Sequence, residues 1–125
     1  MTREERRIAA QPYLNFIKPI AASIGQYVYE FDDELYPHYV DERDACMPWC
    51  PLRIMAHAMQ VAMYHSFWLA IDNAFEDGMA VAVTNSTGEV LAMQEGPSAD
   101  GKLIMRAICL AAAKVSGSST EYLAD

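Results

Sequence analysis

Apolar positions in the N-terminal third recur at helical spacing. Ile20, Ile24, Tyr27, Val28, Phe31 and Leu35 follow one another at three- and four-residue steps, the signature of one face of an amphipathic helix. Pro19 suits the first turn of such a helix, and Pro37 marks its end. Ahead of it, Thr2 and Glu5 have capping-box spacing, so a short helix is predicted at the N-terminus, interrupted at Pro12. Residues 36–51 contain Pro37, Pro48 and Pro51 and read as a loop, with Pro51 placed to open the next helix.

From Leu52 to Phe75 the chain is apolar almost all round, which predicts a central helix buried on most sides. Its polar stripe is Arg53, His57, Gln60 and Tyr64, and Glu76, Asp77 and Gly78 end it. Met55, Met59 and Met63, with Met47 nearby, fall at four-residue spacing and are expected in the core. The period then shifts. MAVAVTN (79–85) and EVLAMQE (89–95) are short, with Asn85, Ser86, Thr87 and Gly88 supplying turn chemistry, and predict an antiparallel β-hairpin. Leu103, Ile104, Ala107, Ile108, Ala111 and Val115 define a further helix, and Gly117 is a natural C-terminal cap.

The expected fold is therefore α+β in one domain spanning 1–125. Residues 1–50 form a helical N-terminal part and loop, and 51–117 a helix–hairpin–helix unit. A two-stranded hairpin (79–95) is packed by three or more helices. Two strands alone are marginal, so helices or a second copy of the chain must cover them. With 53 % hydrophobic residues in 125, a homodimer is expected, the hairpin edge pairing across a two-fold axis.

Charge narrows the function. The net charge is −8, which disfavours direct binding to nucleic-acid phosphates and favours basic partners. Arg3, Arg6, Arg7 and Lys18 outweigh Glu4 and Glu5 near the start, whereas residues 30–44 hold seven acids and only Arg43. That acidic segment also carries Phe31, Tyr36 and Tyr39, and acids mixed with aromatics suit a protein contact. Asp32, Asp33, Glu34, Tyr36, Tyr39, Asp41, Glu42 and Asp44 are the candidate partner-binding residues. The charged start predicts no secretory signal, and residues 54–71 read as a helix of a folded domain, interrupted by His57, Gln60, His65 and Ser66, not as a membrane span. An odd count of three cysteines predicts no disulfide framework and a reducing, cytoplasmic setting.

The chain offers three candidate chemical motifs. Gly96, Gly101 and Lys102 match the spacing of a phosphate-binding loop, and with Ser98 they are the alternative, small-molecule or nucleotide site. Leu103 stands where a magnesium-holding hydroxyl belongs, and Asp100 opposes a phosphate. Three fixed positions are also met by chance in on the order of 4 % of chains this long. A strand-to-helix connection capped by Ser98 or Asp100 is the expected structure. Cys46 and Cys50, with His38, His57 and His65, match no standard zinc spacing, and no nucleophile signature surrounds any cysteine. No catalytic residue, metal or cofactor is expected.

The segment from Phe67 to Gly117, with Trp68 and Arg106–Ala112 carrying most of the likeness, resembles the α-β-α sandwich domains of small phage-encoded proteins, the NinX-like and ABA-sandwich type. The resemblance covers under half of the chain and brings no catalytic residues. It implies phage origin, an accessory role and residence in the host cytoplasm. Joined to the acidic segment, it predicts a protein-binding inhibitor of a host nucleic-acid-handling or defence complex, anti-CRISPR-like in its action.

Overall fold

The computed structural model describes residues 2–31, 33–37, 47–72, 78–96 and 101–123. Helix α1 (Arg3–Ser23) begins where expected, with Thr2 Oγ1 accepting the Glu5 N–H at 3.1 Å. It does not stop at Pro12, and both Pro12 and Pro19 lie inside it. Pro12 is on the exposed side, where water can serve the carbonyl its ring deprives of a donor. The burial of Leu14, Phe16, Ile17 and Ile20, at about 2 kcal/mol each, outweighs a cost of about 3 kcal/mol per proline.

The helix expected to run on to Leu35 is not formed. Gly25 adopts φ +68°, and the Gln26 N–H closes back on the Ala21 carbonyl at 2.9 Å, a left-handed C-terminal cap that ends α1. The chain then forms a hairpin of β1 (Val28–Phe31) and β2 (Glu34–Pro37), with Tyr29 opposite Tyr36 and Phe31 opposite Glu34. Leu35 on β2 is fully buried.

The long central helix is also corrected. Helix α2 covers only Met55–Tyr64. Ser66 turns the chain at φ +57°, and Trp68–Asp72 form strand β3. Its neighbours are β4 (Met79–Thr84) and β5 (Val90–Gly96), in the antiparallel order β3-β4-β5. The predicted hairpin is thus present, but β3 pairs along its β4 side. The described residues hold five strands in two sheets, not two strands in one. Asn85 builds the β4–β5 turn, its Oδ1 accepting the N–H groups of Thr87 and Glu89 at 3.0 Å each.

Along β4, Met79, Val81 and Val83 point into the core and alternate with half-exposed Ala80, Ala82 and Thr84. Helix α3 (Lys102–Ser116) packs on the inner face of this sheet and touches α1 and α2. It ends at Gly117 in the left-handed conformation, as expected. Its N-cap is Gly101, also left-handed and without a side-chain bond, rather than Ser98 or Asp100, which lie outside the described residues. One buried cluster unites Phe16 and Ile17 of α1, Leu35 of β2, Trp49, Val61 of α2, Val81 and Val83 of β4, and Ile108 of α3.

The methionine stripe is not in the core. Met59 and Met63 are exposed, Met63 to 76 %, Met47 is exposed, and Met55 is half-buried. Helix α2 buries Ala58, Val61 and Ala62 instead, because a ten-residue helix against α3 needs only one narrow seam. No described helix is long and apolar enough to cross a membrane.

Candidate functional site

Of the eight predicted partner-binding residues, Asp33, Glu34 and Tyr36 are described, whereas Asp32, Tyr39, Asp41, Glu42 and Asp44 lie outside the described residues. The three do not form one acidic face. Asp33 is exposed at the hairpin turn. Glu34 is drawn inward, its side chain 19 % exposed and paired with Arg53. Tyr36 is half-buried and stacks on Tyr29, with ring centroids 5.9 Å apart. Phe31 meets Tyr36 edge-on at 6.2 Å and lies 5.6 Å from the Arg3 guanidinium. Tyr29, Phe31 and neighbouring Tyr27 are exposed, Phe31 to 53 %. On the other face of β1, Glu30 pairs with Lys18 of α1. The hairpin therefore presents an aromatic patch with single acids around it.

Beside this hairpin is a polar cluster that no motif announced. Cys50 is buried, and its sulfur accepts the Tyr13 hydroxyl at 3.2 Å and the Arg53 Nε–H at 3.3 Å. Arg53 also donates from Nη2 to Glu34 Oε1. These bonds to Cys50 and Glu34 hold the guanidinium's pKa above its ordinary value. Burial, followed by the neighbouring Cys50, pushes the Tyr13 phenol up. The turn that carries Cys50 is fixed from both ends. Cys50 N–H donates to His57 Nδ1 at 3.0 Å, Trp49 N–H to the Leu35 carbonyl at 2.7 Å, and Trp49 Nε1–H to Gln60 at 3.1 Å. His57 thus spends one ring nitrogen on backbone, and His65 instead meets Ser23 at 3.0 Å. No metal-holding group of His, Cys, Asp or Glu occurs among the described residues. Cys109 is fully buried in α3, where burial pushes its thiol up.

The cluster borders a cavity of about 470 Å³. Arg6, Ala9, Ala10 and Tyr13, one stripe of α1 at i, i+3, i+4, i+7, form one part of its lining. Asp33 and Glu34 come from the hairpin, and Leu52 and Arg53 from the turn before α2. Tyr122, in a short 3-10 turn (Glu121–Leu123), completes it. Tyr122 rests on Tyr13 and Phe16 at 5.4 and 5.8 Å, and Arg106 of α3 ties the Leu123 carbonyl to Gln94 of β5. Two sequence features mark the place in retrospect, though neither forms a motif: the small residues Ala9 and Ala10 between Arg6 and Tyr13, and Arg53 as the one charged residue, with His neutral, between Asp44 and Asp72.

The alternative loop is partly described. Gly96 ends β5, Gly101 caps α3 at φ +77°, Lys102 is the exposed first residue of the helix, and Ser98 lies outside the described residues. A Cβ built on Gly101 would come within 2.8 Å of the Met55 methyl, so a thioether crowds that side of the helix start. No family model, curated protein or solved structure matches this chain.

Proposed function

We propose that this is a small, non-catalytic accessory protein that binds another protein through the outer face of the β1–β2 hairpin. The observation that carries the reading is the ring cluster of exposed Tyr29 and Phe31 with half-buried Tyr36, on a chain of net charge −8. Exposed aromatics supply the desolvated centre of a contact, and the surrounding negative field speeds encounter with a basic partner. The partner we infer is a Lys- and Arg-lined surface of the kind that nucleic-acid-handling complexes offer to phosphate, host defence complexes among them. An anti-CRISPR-like inhibitor from a phage would act in this way. Because Glu34 is engaged by Arg53, the attraction falls to Asp32, Asp33, Asp41, Glu42 and Asp44.

Affinity capture from host lysate with the full chain, at low and high salt, tests this. Capture of a basic protein is expected at low salt, and its loss at high salt. Phe31→Ser with Tyr29→Ser should abolish it, and Asp33, Asp41, Glu42 and Asp44 changed together to Lys should weaken it. If all these variants stay folded and retain the partner, the hairpin is not the contact surface.

The homodimer belongs to the same reading, but its surface moves. One side of the 79–95 hairpin is already paired with β3, so among the described residues the open edges are those of β3 and β5. The outer face of this sheet carries Trp68, 69 % exposed, with Met93 and Val90 also exposed.

A further inference from the structure

We propose that the cavity between α1, the β1–β2 turn and Arg53 binds a small zwitterion with an apolar body, of the class of the aromatic α-amino acids. This goes beyond the protein-binding reading and does not depend on it.

One carboxylate on the lining is only half engaged. Arg53 satisfies Glu34 Oε1, but Glu34 Oε2 is buried and has no partner among the described residues. Glu34 lines the cavity, so its carboxylate can draw an occupant's ammonium group by charge. Asp33, also on the lining, adds a second negative charge near that group.

The lining also holds two guanidiniums. Arg53 is already spent on Glu34 and Cys50. Arg6 forms no ion pair with a described residue, and a planar guanidinium suits a carboxylate. Two acids count against a phosphate ligand, and two guanidiniums against a simple cation. A molecule that carries one charge of each sign matches both. The lining also has an apolar part, from Ala9, Ala10 and Leu52, with the Tyr122 ring set against Tyr13. A ring packs well on a ring, and about 470 Å³ lies within the ~300–1,000 Å³ typical of small-molecule sites.

The test is calorimetric titration of the full chain with L-phenylalanine, L-tyrosine and L-tryptophan. Phenethylamine, which lacks the carboxylate, and hydrocinnamate, which lacks the ammonium group, are the controls. Saturable binding of at least one amino acid is expected, about ten-fold or more tighter than either control. Arg6→Ala, on an exposed helix face, should weaken the amino acid about ten-fold and leave phenethylamine unchanged. Glu34→Gln should do the reverse, weakening phenethylamine and leaving hydrocinnamate unchanged. Should Glu34→Gln fail to fold, Arg6→Ala still decides. Lack of saturable binding by all three amino acids at millimolar concentration overturns the proposal, as does equal amino-acid affinity in Arg6→Ala.

Discussion

Arg53 and Glu34, nineteen residues apart, form the ion pair that joins the β1–β2 hairpin to the turn before α2. The pair is asymmetric: the Arg53 side chain is 60 % exposed and Glu34 19 %. Removing the arginine leaves a largely buried carboxylate without its donor, whereas removing the glutamate returns the arginine to water. Arg53→Met, which keeps the apolar stem, should therefore destabilise by about 2 kcal/mol, and Glu34→Gln by less. Urea unfolding of both variants and of the double variant measures this. Equal losses from the two single changes would contradict the asymmetry.

Pro12 sits within an uninterrupted α1. Its exposed ring removes one helical hydrogen bond and contributes no core contact, so Pro12→Ala should stabilise the protein by about 1–3 kcal/mol. Some of that gain is offset because alanine loosens the unfolded chain. Thermal unfolding should move upward. A lower midpoint would show that the proline shapes α1 in a way its neighbours require.

The contrast between the two halves of the chain shows what was legible before folding. Hairpin 79–95 and helix α3 were readable because period and punctuation agree: alternation around Asn85–Gly88 in one, a 3.6-residue stripe closed by Gly117 in the other. In residues 20–35 they disagree. The apolar spacing fits a helix, but Gly25 sits inside it with a positive φ, and the two-residue alternation of VYEF and ELYP is hidden in the longer pattern. Ser66 breaks the apolar run of residues 52–75 in the same way, with no glycine or proline to announce it. The cavity was less legible still. Tyr13 and Cys50 are 37 residues apart, and no local spacing joins them to Glu34 and Arg53.

His65 packs between Tyr64 and Phe67, with centroids at 5.4 and 5.1 Å, and burial lowers its pKa. The folded state thus prefers neutral imidazole, whereas the unfolded chain takes up a proton near about pH 6.5. Its contribution is fully present above that pH and is lost as pH falls from there toward the lower folded value. Stability should drop between about pH 7.5 and pH 5, and the drop should be smaller in His65→Gln. An NMR titration placing His65 at or above its ordinary value would contradict this.

Self-association is expected to run through Trp68. The register places Trp68, Thr84 and Val90 in one row across the outer face of β3-β4-β5, and Ala70, Ala82 and Met93 in the next. Small residues along the middle of this face make it flat, while Trp68 and Met93 stand out from it, exposed to 69 % and 59 %. Two such faces related by a two-fold axis can set each indole over the other's alanines, and an aromatic side chain removes about 150–250 Å² from water when buried. The third row, Asp72, Ala80 and Glu95, carries like charge and limits how far the faces can overlap, which favours a closed pair over a growing stack. Trp68→Glu, at an exposed position, should alter monomer stability by no more than about 0.5 kcal/mol, yet convert dimer to monomer. Sedimentation velocity at tens of micromolar protein distinguishes the two. A wild-type chain that sediments as a monomer, or a Trp68→Glu chain that remains a dimer, removes this face as the interface.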